Sequence, residues 1–112
     1  MTPLEVCPEH VGDVSIVTFL GEFDLAVIEM AERELRLVEE REPAVLVLDL
    51  SGLEFLDSSG VRVVLQADDR ARRDDRRLAV LLGSGIAQRL FALLGLLDRL
   101  ELISDRADVL PG

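Results

Sequence analysis

The segment Leu46-Val47-Leu48-Asp49-Leu50-Ser51-Gly52-Leu53-Glu54-Phe55-Leu56-Asp57-Ser58-Ser59-Gly60-Val61 constrains the fold more than any other part of the chain. It begins as an apolar run without alternation, the pattern of a strand buried on both faces. Ser51-Gly52 signals a turn. Asp57-Ser58-Ser59-Gly60 then opens a helical pattern, with Asp57 or Ser58 as its N-cap. Two hydroxyls are therefore expected at the start of a helix, just beyond the end of a central strand. Free N–H groups and the positive end of the helix dipole suit a phosphate at such a point.

The flanking segments supply the rest of the sheet. Leu4 to Pro8 is expected as a short edge strand ended by Pro8. A hairpin turn over Glu9 to Asp13 leads into Val14 to Leu20, rich in Val, Ile, Thr and Phe and so a strand. Gly21-Glu22-Phe23-Asp24 breaks it, and Asp24 is placed to cap a helix reaching about Arg41, with Ile28, Ala31, Leu35 and Val38 on one face. Pro43 stops that helix and Ala44 to Leu50 is the central strand. A second helix runs to about Arg73, burying Val61, Val64, Leu65 and Ala71. The mixed charge run from Asp68 to Arg77 is expected as an exposed helix end and loop. Leu78 to Leu82 is another buried strand, and Gly83-Ser84-Gly85 turns into a third helix from Ile86 to Leu94, with Gly95 at its C′ position. Arg99 to Ile103 is expected as a last short strand, and Ser104 as the cap of a helical stub from Asp105 to Leu110.

This order predicts an α/β fold with a mixed sheet of about five strands, a parallel core, an opening hairpin and helices packed on it. The three parallel strands then end together. Gly21 to Asp24, Ser51 to Gly60 and Gly83 to Gly85 should gather at one end of the sheet, where open α/β sheets place their sites.

Composition limits the chemistry. With 112 residues, 49% apolar and 30% charged, the chain has the balance of one soluble globular domain. A formal net charge of -10 disfavours nucleic acid, and the absence of Trp and Tyr removes the usual base-stacking platforms. A basic or polar protein surface is the more natural partner. No basic n-region precedes an apolar core at the start, and Leu90 to Leu97 is far shorter than the roughly 18 apolar residues of a membrane span. Cys7 is the sole cysteine, which fits a reducing cytoplasm and no redox or metal role. His10, the sole histidine, is expected as a solvated loop residue rather than a metal ligand.

Ser58 is thus a cap, a phosphoacceptor or a nucleophile. Hydrolysis needs a base and an oxyanion hole; His10 lies in the opening hairpin turn and no G-x-S-x-G is present. Gly83-Ser84-Gly85 lacks the remainder of a phosphate-binding loop, so a tight turn explains it better than a nucleotide site. No carboxylate pair stands in an apolar setting for acid–base work. Cap and phosphosite remain equal on these grounds.

Three stretches carry a family resemblance: Gly21-Glu22-Phe23-Asp24-Leu25, Asp49-Leu50-Ser51-Gly52-Leu53 and Asp57-Ser58-Ser59-Gly60-Val61. In order and spacing the chain resembles the STAS domains of bacterial anti-sigma factor antagonists, over roughly residues 4 to 110, and a single such domain is expected over 1–112. The resemblance implies a cytoplasmic, non-catalytic binding protein without cofactor or metal, a monomer or weak dimer. Its unmodified form would bind an anti-sigma factor that is also a serine kinase and so release the sigma factor. That kinase would phosphorylate Ser58, and a PP2C-type phosphatase would restore it. Asp24, Asp57, Ser58, Ser59, Gly60 and Arg62 would form the partner surface, with Asp57 orienting the hydroxyl or accepting from it and Gly60 leaving the helix start open to close approach. Superfamily relatives also include stressosome components and lipid-transport subunits, and a nucleotide-binding sensor module is the reading from a different class.

Overall fold

In a computed structural model, residues 2–110 are described, as six strands and three α-helices. The strands are β1 (Glu5–Val11), β2 (Val14–Phe23), β3 (Val45–Asp49), β4 (Leu53–Leu56), β5 (Arg77–Leu81) and β6 (Glu101–Leu102). The helices are α1 (Ile28–Glu39), α2 (Ser58–Arg73) and α3 (Ile86–Leu93), with single 3₁₀ turns at Leu25–Val27 and Arg106–Asp108. The sheet order is β1-β2-β3-β5-β6, with β4 paired to β2 outside this path. β1 is antiparallel to β2 and every other pairing is parallel. The mixed sheet with a parallel core is as the element pattern predicts, with one strand more.

The two sheet faces are covered unequally. Val17, Phe19, Leu46, Leu48, Leu78 and Val80 point to the helices and join Leu35, Val64, Ala67 and Phe91 in the main core. On the opposite face, Val14, Ile16 and Val47 are covered by the C-terminal residues Ile103, Val109 and Leu110. Both sides of β3 are therefore dry, which is why its sequence shows no alternation.

Several expectations are corrected. Pro8 does not end β1; it pairs opposite Val17 and the strand continues to Val11. The two-residue turn Gly12-Asp13 makes Val11 and Val14 the hydrogen-bonded pair next to it. Counting back along the alternation, position 8 would direct an N–H away from β2, on an edge strand where proline costs no ladder bond. His10 lies in β1 rather than a loop, its Nδ1 2.9 Å from Ser15 Oγ. Asp24 caps the 3₁₀ turn instead of α1 directly, and Asp105 rather than Ser104 caps the C-terminal turn, which is 3₁₀ and only three residues long.

The run from Asp68 to Arg77 is not simply a solvated end. Asp68 is buried and accepts from Arg99 Nη1 at 2.5 Å, with Arg72 Nε at 3.0 Å. Arg70 grips Glu39 through Nε and Nη2, both at 2.8 Å, tying α2 to α1. This bidentate bond holds the Arg70 guanidinium pKa above its ordinary value.

Candidate functional site at the strand ends

The site is built by a change of partner within β2. Val14 to Thr18 pair with β3, but from Gly21 onward the strand pairs with β4. The register shifts between Gly21 and Glu22, and Gly21 has φ of +90°. At this bulge the backbone of Thr2 and Pro3 lies directly against Gly21, and Glu22 N–H donates to Thr2 O at 3.0 Å. The register of β2 and β4 then sets Phe23 beside Leu56, so the next residues, Asp24 and Asp57, leave the sheet side by side.

Each aspartate caps the helical turn that follows it. Asp24 Oδ1 accepts from Ala26 N–H at 3.0 Å. Asp57 Oδ1 accepts from the N–H groups of Ser59 at 3.0 Å and Gly60 at 3.4 Å. Asp57, not Ser58, is thus the N-cap, and its carboxylate binds backbone rather than orienting the serine hydroxyl. Ser58 is the first residue of α2 and exposed; Ser59 is half-buried and Arg62 exposed. Gly60 is buried: a Cβ there would lie 2.6 Å from Leu56 Cδ1 and 3.1 Å from the Phe23 ring. The close approach that requires glycine is therefore internal, seating the first turn of α2 on Phe23.

Between the two capped turns runs a cleft of about 290 Å³ lined by Leu25, Ile28, Glu32, Ser59, Arg62 and Gln66, with Val63 at its base. Leu25, 73% exposed, stands on its rim. The sequence places Leu25 in a motif stretch but does not assign Leu25, Glu32 or Gln66 to the partner surface. The available signal was a large apolar residue directly after a capping aspartate, where no helix face yet buries it. Gly83, by contrast, packs on Ser51, where a Cβ would meet the Ser51 Cβ at 2.7 Å. A larger concavity, about 710 Å³ and rimmed by Glu39, Glu40, Glu42, Asp74 and Asp75, lies at the opposite end of the parallel strands.

Asp49 closes β3 beneath this region. Its Oδ1 accepts from Ser51 N–H at 3.0 Å and from Ser51 Oγ at 2.6 Å. Its Oδ2 accepts from Arg106 Nε at 3.2 Å and Nη2 at 3.0 Å. Arg106 also donates to Glu9 at 2.8 Å and to Thr18 Oγ1 at 2.6 Å. The bond to Glu9, then that to Asp49, raises the Arg106 pKa above its ordinary value.

The STAS domain family model matches residues 6–109. The chain belongs to the STAS domain family. An anti-sigma-F factor antagonist of Mycobacterium tuberculosis, RsfB, is 31% identical over 93% of this chain and 84% of its own length. Among solved structures, an anti-sigma factor antagonist from Mycobacterium paratuberculosis superimposes with a TM-score of 0.85 at 27% identity, covering 95% of this chain and 90% of the other. The Bacillus cell fate determinant SpoIIAA in its phosphorylated form has a TM-score of 0.71 at 20% identity, covering 94% and 96%, and shares the fold. No described helix is long and apolar enough to cross a membrane.

Proposed function

We propose that this STAS domain is an anti-sigma factor antagonist acting in the cytoplasm. In this reading its unmodified form binds a serine-kinase anti-sigma factor, phosphorylation of Ser58 ends binding, and a PP2C-type phosphatase reverses it. The observation that carries the reading is the exposed Ser58 hydroxyl at the first position of α2, with its neighbour Asp57 already committed to the backbone. The 31% identical relative named as an antagonist supports the same conclusion. Asp24, Asp57, Ser59 and Arg62 would surround the serine in the partner contact, with Gly60 holding the turn from below and Leu25 offering an apolar anchor.

A phosphate on Ser58 adds about 1.5 to 2 negative charges at pH 7. The N-terminus of α2 would favour it by about 0.3–1 kcal/mol, so the fold tolerates it. A partner packed over the serine must instead bury a strongly hydrated dianion, and each 1.4 kcal/mol of that cost is tenfold in affinity. The test is incubation with candidate kinases and location of the phosphate by mass spectrometry. Ser58→Ala should resist phosphorylation and keep the partner bound, Ser58→Asp should bind weakly, and Ser59→Ala should still be modified. Normal phosphate uptake by Ser58→Ala refutes the site; equal affinity of both forms refutes the switch.

A further inference from the structure

The Asp49 carboxylate is buried and joins two segments far apart in sequence. One oxygen holds the Ser51 turn, from which the chain runs through β4 to Asp57 and Ser58. The other holds Arg106, in the C-terminal segment that covers the second sheet face. We propose that Arg106 is a positioning residue for the segment that leads through β4 to Ser58, acting through Asp49 and Ser51, so that docking of the C-terminal segment sets how firmly the partner surface is held. The partner arm of this proposal rests on the reading of Ser58 given above.

The geometry makes Arg106 suited to that task. Its guanidinium spans three strands of one face, reaching Glu9 on β1, Thr18 on β2 and Asp49 on β3. Thr18 and Asp49 are direct neighbours in the parallel register, so one planar fork clamps adjacent strands at the level where β2 is about to change partner. Docking decides how the Asp49 carboxylate is satisfied. Docked, Arg106 supplies the cation of a carboxylate that also orders Ser51. Undocked, the buried Asp49 has no cation among the described residues and must draw in water, which competes with Ser51 for the same carboxylate. The apolar seat under the segment is small, Ile103, Val109 and Leu110 on Val14, Ile16 and Val47, so release is a local opening rather than global unfolding. Ser51 in turn packs on Gly83 and lies inside the turn closed by the Leu53 N–H to Leu50 O bond of 3.2 Å, just before β4.

The test uses the full chain with Arg106→Lys, Arg106→Ala and Glu9→Gln, and reads amide exchange residue by residue. Arg106→Lys keeps the charge but loses the fork, and it holds the test open if Arg106→Ala does not fold. The Ser51 and Leu53 amides should exchange at least about tenfold faster in Arg106→Lys, the change expected for losing one charge-assisted hydrogen bond. Amides of Leu46 to Leu48 should be unchanged. Glu9→Gln, which leaves the Asp49 contact intact, should not move Ser51. With a kinase that modifies the parent at Ser58, Arg106→Lys should raise KM severalfold and leave kcat nearly unchanged. Faster exchange at Ile103 and Val109 with Ser51 and Leu53 untouched overturns the positioning role, as does a uniform rise across the sheet. A parent chain never modified at Ser58 defeats the proposed function instead, because the exchange result does not depend on any partner.

Discussion

Replacing Gly21 by alanine should damage both the fold and the alignment of the two capping aspartates. Gly21 sits at φ +90°, where a Cβ would meet the Pro3 carbonyl oxygen well inside van der Waals contact and Thr2 O at 3.0 Å. A left-handed conformation costs an L-residue about 1–2 kcal/mol. Forcing atoms into a packed site costs about 1–3 kcal/mol more, and here the obstacle is backbone rather than a side chain that can turn away. The reduced entropy of the unfolded alanine chain returns about 0.4–1 kcal/mol. The net destabilisation is about 1–5 kcal/mol, near 3 kcal/mol at the middle of these ranges, a large share of the 5–15 kcal/mol typical of a domain. In urea, with a slope of about 1–2 kcal/mol per molar for a small domain, the central figure lowers the midpoint by about 1.5–3 M at constant slope. Gly12→Ala is the internal control. Gly12 has φ +60° but nothing within 4 Å of its Cβ position, so only the conformational cost remains, about 1 kcal/mol. If Gly21→Ala costs no more than Gly12→Ala, the bulge is not held by the close approach of Thr2 and Pro3, and the account of how β2 reaches β4 is wrong.

Asp57→Ala should lose about 0.5–2 kcal/mol of stability in urea unfolding, because Ser59 and Gly60 lose their capping acceptor, while Asp57→Asn should retain most of it. Glu101, bonded by Arg77 Nε at 3.0 Å, has its pKa lowered from the ordinary 4.5, chiefly by that hydrogen bond. A depressed folded pKa means its contribution is present above the unfolded value and is lost as pH falls through the folded one. Carboxyl NMR titration should therefore find Glu101 below 4.5 in the parent and nearer 4.5 in Arg77→Gln, with little change in stability at pH 7 because the pair is solvent-screened.

The parts of the site that announce themselves locally were legible in the sequence. Asp24 and Asp57 each stand between a strand pattern and a helix pattern, and capping is a short-range property. The central strand shows itself because burial on both sides removes alternation. β4 does not, since Leu53 to Leu56 alternates on neither period, buried at its ends and exposed between, and is paired by a strand some thirty residues earlier. Asp68 carried an unused signal: it falls on the face of Val64 and Ala71, at spacings of four and three, so its burial could be expected from helical geometry. Arg106 carried none. Its partners Asp49, Thr18 and Glu9 are brought together only by the sheet register and the return of the chain, and nothing in local spacing encodes that.

Under the proposed reading, the arrangement separates what stabilises the domain from what is offered to a partner. Asp57 uses one oxygen on two backbone N–H groups, Gly60 seats the helix on Phe23, and Asp49 anchors the turn from beneath. None of these tasks falls to the Ser58 side chain, which projects from the first turn of α2 with its backbone already fixed. A hydroxyl that contributes nothing to the fold can be modified or replaced at little cost to stability. A partner that must close over it meets the full cost of burying the added charge. Under the proposed reading, the switch works because the same residue is nearly silent in one equilibrium and decisive in the other, and a cap placed on Ser58 itself, instead of on Asp57, would have tied the two together.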